Sequence, residues 1–393
     1  MRLQSESRKW TLPLLLVLVF VLFLLLHDLS GGTLLDSSSY NSYVLQAEAW
    51  SRGRASLDRD YPWLELAVYG GRYYVPYPPV PSAVLFPAVL LAGTHTPDNL
   101  IICLTVLLAV SAAYLCLRKA GAGETVSAFW SVFAVLGSSL LSLCTEGTVW
   151  SFGHALNAVF CLFGILSALH GKRILSLTLV ALAAGCRLFS VLLLIPLLVR
   201  FFREDREKEL SFKDSALSLL PRLILPALVL LGILAYNYVR FQSPFEFGWS
   251  FLGEAGRSGS VFSISCVPEN LKALLSPVTL GTGLRLSYNI YGGFLFLLAN
   301  PFLILLFFRL RKPSPEQWTA LGCMVVHLFL LLCCRNFGGW QFGSRLTLDL
   351  IPYAFLILLP AMKKAPRNLE LFLGAFAVLF NLYGAVSMRL LNL

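Results

Sequence analysis

Apolar residues run along this chain in long unbroken stretches, not in the alternation of a strand or the stripe of an amphipathic helix. Residues 11–26 and 100–117 approach or reach the ~18 apolar positions that a bilayer-spanning helix needs. Counting such runs predicts about eleven spans, near 10–27, 99–117, 125–143, 153–170, 174–186, 188–199, 216–240, 288–308, 317–334, 347–361 and 369–386. The expected architecture is therefore an all-α polytopic membrane protein, one membrane domain over residues 1–393. Two long segments, 28–98 and 241–287, fall between spans.

Composition supports this pattern. Of 393 residues, 57% are hydrophobic and 13% charged, where a soluble domain carries about 25% charged residues. The net charge of +10 could suggest nucleic acid, but no soluble basic domain exists to bind it. The basic clusters are Arg2/Arg8/Lys9, Arg118/Lys119, Lys172/Arg173, Arg200 to Lys213, Arg309/Arg311/Lys312 and Lys363/Lys364/Arg367. In the eleven-span arrangement all of them fall on one face, as the positive-inside rule requires. The N-terminus is then cytoplasmic, the C-terminus outside, and both long segments extracytoplasmic. The first apolar run resembles a signal peptide but no small-residue cleavage site follows, so it is expected to be retained. The nine cysteines have no framework spacing, and Cys333-Cys334 is not a CxxC pair, so neither zinc nor redox chemistry is supported.

Residues 174–199 could be one long span, but basic residues flank both ends. A hairpin of two short legs keeps both clusters on one side, with Gly185-Cys186-Arg187 at its tip. Each leg rises only ~20 Å against a ~30 Å hydrocarbon core. Arg187 is thereby placed at membrane depth, where a guanidinium must meet an anion, either a ligand's or a protein carboxylate's.

In the first outer segment, Asp36-Ser-Ser-Ser predicts an N-cap opening an amphipathic helix that lies on the membrane surface and ends near Gly53. Further on, LELAVYGGRYYVPYPP (64–79) predicts a tight Gly70-Gly71 turn, then an extended Arg72–Val75 piece stiffened by prolines. Residues 82–93 are too few to cross and read as an interfacial helix. Asp28, Asp36, Glu48, Asp58, Asp60 and Glu65 supply carboxylates; each is open to a cap, salt-bridge or surface role, and Asp36 most of all. Glu65 differs because Leu64, Leu66, Ala67 and Val68 surround it. A carboxylate so placed is either desolvated or ionised by a nearby cation, and both states suit acid–base work. The tyrosines fit either a sugar-stacking wall or an interfacial belt.

Two more outer segments combine arginine with aromatic and small residues: YNYVRFQSPFEFG around Arg240, and NFGGWQFGSR ending at Arg345. Lone arginines at span ends usually snorkel, yet Arg187, Arg240, Arg335 and Arg345 all gather toward the outer face, which favours an anionic ligand there. Trp150-Ser-Phe-Gly-His154, with Glu146, adds a polar cluster in which His154 is either structural or functional. Walker, GxGxxG, HExxH and GxSxG motifs are all missing. An enzyme on this face would need its activated group delivered on a lipid.

A first span followed by a long acidic outer loop resembles the GT-C superfamily of integral-membrane glycosyltransferases. GRASLDRDYPWLELAVYGGRYYVPYPPVPSAVLFP, YNYVRFQSPFEFG and FGGWQFGSRLTLDLIP each resemble a segment of uncharacterised bacterial members, with Gln242 where those usually have glycine. The resemblance covers essentially the whole chain. It implies a polyprenyl-phosphate-linked sugar donor, an extracytoplasmic acceptor and an inverting transfer. It also implies a catalytic acid in the first outer loop (Asp36 just after the first span, Glu65 before the YYV-PP segment, or Asp58 and Asp60). Arg187, Arg72, Arg240, Arg345, Tyr74 and His154 would bind the donor phosphate and sugar. No cofactor is required, although a divalent metal is compatible, and with no soluble outer domain the loops must recognise the acceptor. A lipid or solute transporter fits the same composition, but the internal repeats frequent in transporters are not visible.

Overall fold

The computed structural model describes residues 10–29, 31–252, 261–281 and 285–390. The basic cluster Arg2/Arg8/Lys9 lies outside them, as do residues 253–260 and 282–284 of the second outer segment. Among the described residues six helices are long and apolar enough to cross a membrane. These are Thr11–Leu29, Asp98–Lys119, Val149–Leu169, Phe212–Phe241, Pro315–Leu332 and Asn368–Arg389. Strand among the described residues is confined to two short hairpins. The all-α polytopic membrane architecture read from the sequence is the one observed.

The other expected spans are shorter or interrupted. Residues 125–143 form α1 (Glu124–Val135) and α2 (Ser139–Leu143), restarted by Ser138, whose side chain accepts from Leu140 N–H. The 174–199 hairpin consists of α3 (Arg173–Ala184), a break at Gly185–Arg187, a 3₁₀ segment Leu188–Leu193, and α4 (Leu194–Arg206). The expected span 288–308 is instead Phe296–Ala299, Pro301–Ile304 and Leu305–Arg309. Pro301 supplies no N–H to continue the first of these pieces, and an apolar run does not by itself distinguish a helix from buried irregular chain.

The first outer segment folds onto the bundle. Its helix α5 (Ser42–Ser51) buries Tyr43, Val44, Ala47 and Ala49 against α6 (Val80–Ala92). It is thus a helix packed against the protein. Asp36 does not cap it: Asn41 occupies the N-cap, and Asp36 accepts from Thr33 N–H (2.6 Å) in its own local turn. The tight turn is found where expected. Ala67–Tyr69 and Arg72–Tyr74 pair antiparallel, with Ala67 opposite Tyr74, around Gly70 and Gly71 at φ 56° and 71°. Both φ values suit the type I′ turn that matches strand twist. Gly185, at the hairpin tip, is where α6 arrives. Val80 N–H donates to Gly185 O (3.1 Å), and a Cβ on Gly185 would sit 2.2 Å from Val80 Cγ2. The outer loop is thereby docked beside Arg187.

Candidate active site

Three separate elements converge on one buried carboxylate. Asp349, 1% exposed, lies in the 3₁₀ turn Arg345–Leu350. Arg187 Nε donates to its Oδ2 (2.8 Å), while His154 Nδ1 and Asn157 Nδ2 reach Oδ1 at 2.9 and 3.3 Å. His327 Nε2 stands 3.9 Å from Oδ2, and its Nδ1 is 3.3 Å from Tyr353 Oη. A carboxylate removed from water needs such a shell, because an uncompensated buried charge is strongly destabilising. Arg187 thus has the protein partner that its depth demanded. Among the described residues only its Nε is so engaged, and the side chain stays 24% exposed, leaving the terminal nitrogens for the cavity that it lines.

That cavity measures ≈ 210 Å³, and Glu65, Tyr77, His154, Arg187, Arg345 and Asp349 are on its wall. Glu65 is exposed on it, not sealed among its apolar neighbours: Leu66 and Ala67 turn inward while Glu65 accepts from Tyr77 Oη. Burial, and after it the Glu65 carboxylate, hold the Tyr77 phenol well above its ordinary range, so it stays a donor. Arg345 Nη1 donates to Gly339 O (2.9 Å), and its guanidinium lies 5.2 Å from the Trp150 ring centroid. Within hydrogen-bonding distance of Asp349 the cations are already taken, so Glu65 is the cavity's one carboxylate without an ion pair among the described residues. No group of three or more His, Cys, Asp or Glu side chains is placed to hold a metal ion among the described residues.

Of the residues singled out from the sequence, Glu65, Trp150, His154, Arg187, Arg335 and Arg345 come together here, whereas Asp36, Asp58, Asp60, Arg72, Tyr74 and Arg240 do not line this cavity. Tyr74 is buried against Phe241, with ring centroids 5.3 Å apart. Arg72 sits exposed on the β-hairpin. Asp36 is held in its local turn, Asp58 accepts from Tyr61 Oη (3.0 Å), and Asp60 is exposed. Arg240 is only 1% exposed; it donates to Val75 O and Asn237 Oδ1, both at 2.7 Å, and lies 4.4 Å from the Tyr236 ring centroid. It fastens the YYVPYPP loop, and so the approach to Tyr77, to the end of its helix. Gln242 follows at φ 57°, the left-handed C-terminal position that explains why similar segments have glycine there. Asp349, Tyr77 and His327 were not singled out. The signal for Asp349 was its place as the lone acid in LTLDLIPYAFLILL, where an ionisable group at membrane depth marks a site by default.

No protein-family model matches the sequence, and neither does any curated protein. Solved structures do share the fold. ArnT from Cupriavidus metallidurans in the apo state superposes with a TM-score of 0.55 at 15% identity, over 91% of this chain and 60% of that one. The same enzyme bound to undecaprenyl phosphate gives 0.52 at 15%, over 89% and 59%. The Archaeoglobus fulgidus oligosaccharyltransferase in the apo form gives 0.53 at 14%, over 98% and 56%. This chain therefore spans about 60% or less of those proteins' lengths. At this identity the likeness is one of fold, and this chain is a multi-pass membrane protein whose fold is similar to that of ArnT and of the archaeal oligosaccharyltransferase.

Proposed function

We propose that this protein is a membrane glycosyltransferase that moves a sugar from a polyprenyl-phosphate donor to an extracytoplasmic acceptor, with inversion. The observation that carries the reading is the cavity lined both by Glu65, a carboxylate without an ion pair among the described residues, and by the guanidinium groups of Arg187, Arg335 and Arg345. ArnT, which shares the fold, has been crystallised with undecaprenyl phosphate, a lipid of the class proposed. The positive-inside distribution of Lys and Arg supports an outer-side position for this cavity, where an activated sugar must arrive on a lipid.

In this reading the acceptor hydroxyl gives its proton to Glu65 as its oxygen bonds to the sugar C1. The C1–O bond to the phosphate breaks on the opposite face, and the electron pair leaves with the phosphate. Arg187, held by Asp349, and Arg345, held by Gly339 and Trp150, stabilise that growing charge through preorganised donors. The Tyr77 phenol fixes the rotamer of Glu65 and leaves its second oxygen for the acceptor. Asp36, Asp58 and Asp60 are the fallback bases, and they lie off the cavity.

The test is mass spectrometry of lipids that co-purify with the protein. Wild type is expected to carry polyprenyl phosphate, the spent donor. Glu65→Gln is expected to carry polyprenyl phosphate with its sugar still attached. A transporter would carry the same lipid in both forms, and that outcome would remove the enzymatic reading.

A further inference from the structure

A second cavity, ≈ 810 Å³, lies between the start of α3, the end of α4 and the stretch Phe212–Phe241. Its charged lining is Lys172, Arg173, Lys208 and Arg222 against Glu204 and Asp205. Arg173 is spent on Asp205 through two hydrogen bonds of 2.8 and 2.5 Å, which Ser215 Oγ reinforces at 2.8 Å. Glu204 is spent on Arg200 at 2.9 Å. These pairs hold three helix ends together and cancel one another. Lys172, Lys208 and Arg222 form no ion pair among the described residues, although Arg222 Nη1 does donate to Ser218 O. The cavity therefore has an excess of positive charge with nothing in the described chain to neutralise it. Its remaining lining is mostly apolar, with Ile174, Leu175, Leu210 and Leu225 beside Gly171, Thr178 and Ser218. Beside it the helix continues with Ile224, Leu228 and Leu231, each about 60% exposed.

A pocket that joins unpaired cations to apolar walls, next to exposed leucines on a helix, suits a phospholipid with its headgroup in the pocket and its chains along the helix. We propose that this cavity binds the headgroup of an anionic phospholipid, with Lys172, Lys208 and Arg222 on the phosphate and the exposed leucines beside the acyl chains. Soluble anions satisfy the charges but not the apolar walls. The bound lipid would tie α3 to the Phe212–Phe241 helix, of whose apolar window only 17% is buried within the protein. The proposal does not depend on the reading of Glu65.

The test uses the full-length protein in a neutral detergent, with native mass spectrometry and thermal melting. Phosphatidylglycerol is expected to bind and raise Tm, whereas phosphatidylcholine and inorganic phosphate do neither. Lys172→Ala/Lys208→Ala/Arg222→Gln is expected to weaken phosphatidylglycerol binding about 10²-fold, at roughly fivefold for each cation near the membrane surface. A control removing three exposed lysines elsewhere, Lys312→Ala/Lys363→Ala/Lys364→Ala, should bind as wild type does. Should the first triple variant fail to fold, the milder Lys172→Ala/Lys208→Ala, at two exposed positions, is measured in its place. Equal lipid binding by wild type and cavity variants, or stabilisation by inorganic phosphate matching that by the lipid, overturns the proposal.

Discussion

The Nε of Arg187 donates to Oδ2 of Asp349 across 2.8 Å, joining the tip of the 173–206 hairpin to a turn 162 residues further along the chain. This contact fixes one edge of the guanidinium and turns the other toward the cavity. Removing one partner leaves the other charged in a poorly solvated place, which typically costs about 3–5 kcal/mol in a fully buried pair. Arg187 is partly exposed, so the loss here should be at the lower end. Asp349→Asn is therefore expected to lower Tm clearly, and Asp349→Asn/Arg187→Met to lower it by less than the sum of the single changes. Strictly additive losses in thermal melts would show that the two do not interact.

The Glu65–Tyr77 contact leads to a kinetic prediction. Losing a general base costs roughly 10²–10⁴ in rate, so Glu65→Gln should abolish measurable transfer while Tm and lipid binding stay near wild type. Tyr77→Phe removes only an orienting donor and should cost about tenfold, the worth of one hydrogen bond to a charged group. Transfer from endogenous lipid-linked donor in membranes expressing each variant measures both. Full activity in Glu65→Gln would return Asp36, Asp58 and Asp60 to consideration.

Arg240 makes the opposite forecast to Arg187. Its two hydrogen bonds anchor Val75 and Asn237 inside the protein, and lysine does not reproduce that fork. Arg240→Lys should lose roughly 1–3 kcal/mol of stability, with polyprenyl-phosphate affinity of the folded fraction unchanged. Gln242→Gly, which relieves a φ of 57°, should raise Tm modestly, since a left-handed residue with a Cβ costs about 1–2 kcal/mol. A fall in Tm for Gln242→Gly would mean that the Gln242 side chain has a structural role of its own.

Sidedness can be checked separately. With the nine native cysteines removed, Arg72→Cys on the exposed hairpin should react with an impermeant maleimide in intact cells, and Lys363→Cys should not. The reverse pattern would put the cavity on the cytoplasmic side.

Local features were legible in the sequence because they are local. The apolar runs gave the long helices, Gly70-Gly71 gave a hairpin turn, and the two flanking basic pairs gave the 174–199 hairpin with Arg187 at its tip. The convergence of His154, Arg187, His327 and Asp349 was not legible, since no pattern along the chain pairs residues that far apart. Asp36 was misplaced for a related reason. Its side chain satisfies the nearby Thr33 N–H, and a cap motif in sequence does not say which turn it serves. Residues 288–308 misled because burial in irregular chain requires the same apolar composition as a span.

In the proposed function Arg187 and Arg345 form a binding site for the phosphate of a polyprenyl lipid. It is tested most directly by titrating purified protein with undecaprenyl phosphate and with undecaprenol while recording Tm. Phosphatidylglycerol is kept in excess throughout, to occupy other anion sites. Expected are a saturable rise in Tm with undecaprenyl phosphate, no such rise with undecaprenol, a weaker response for Arg187→Lys, and loss of the response for Arg187→Ala and Arg345→Ala. Equal shifts for wild type and both alanine variants, or an equal response to the alcohol and the phosphate, would contradict this reading.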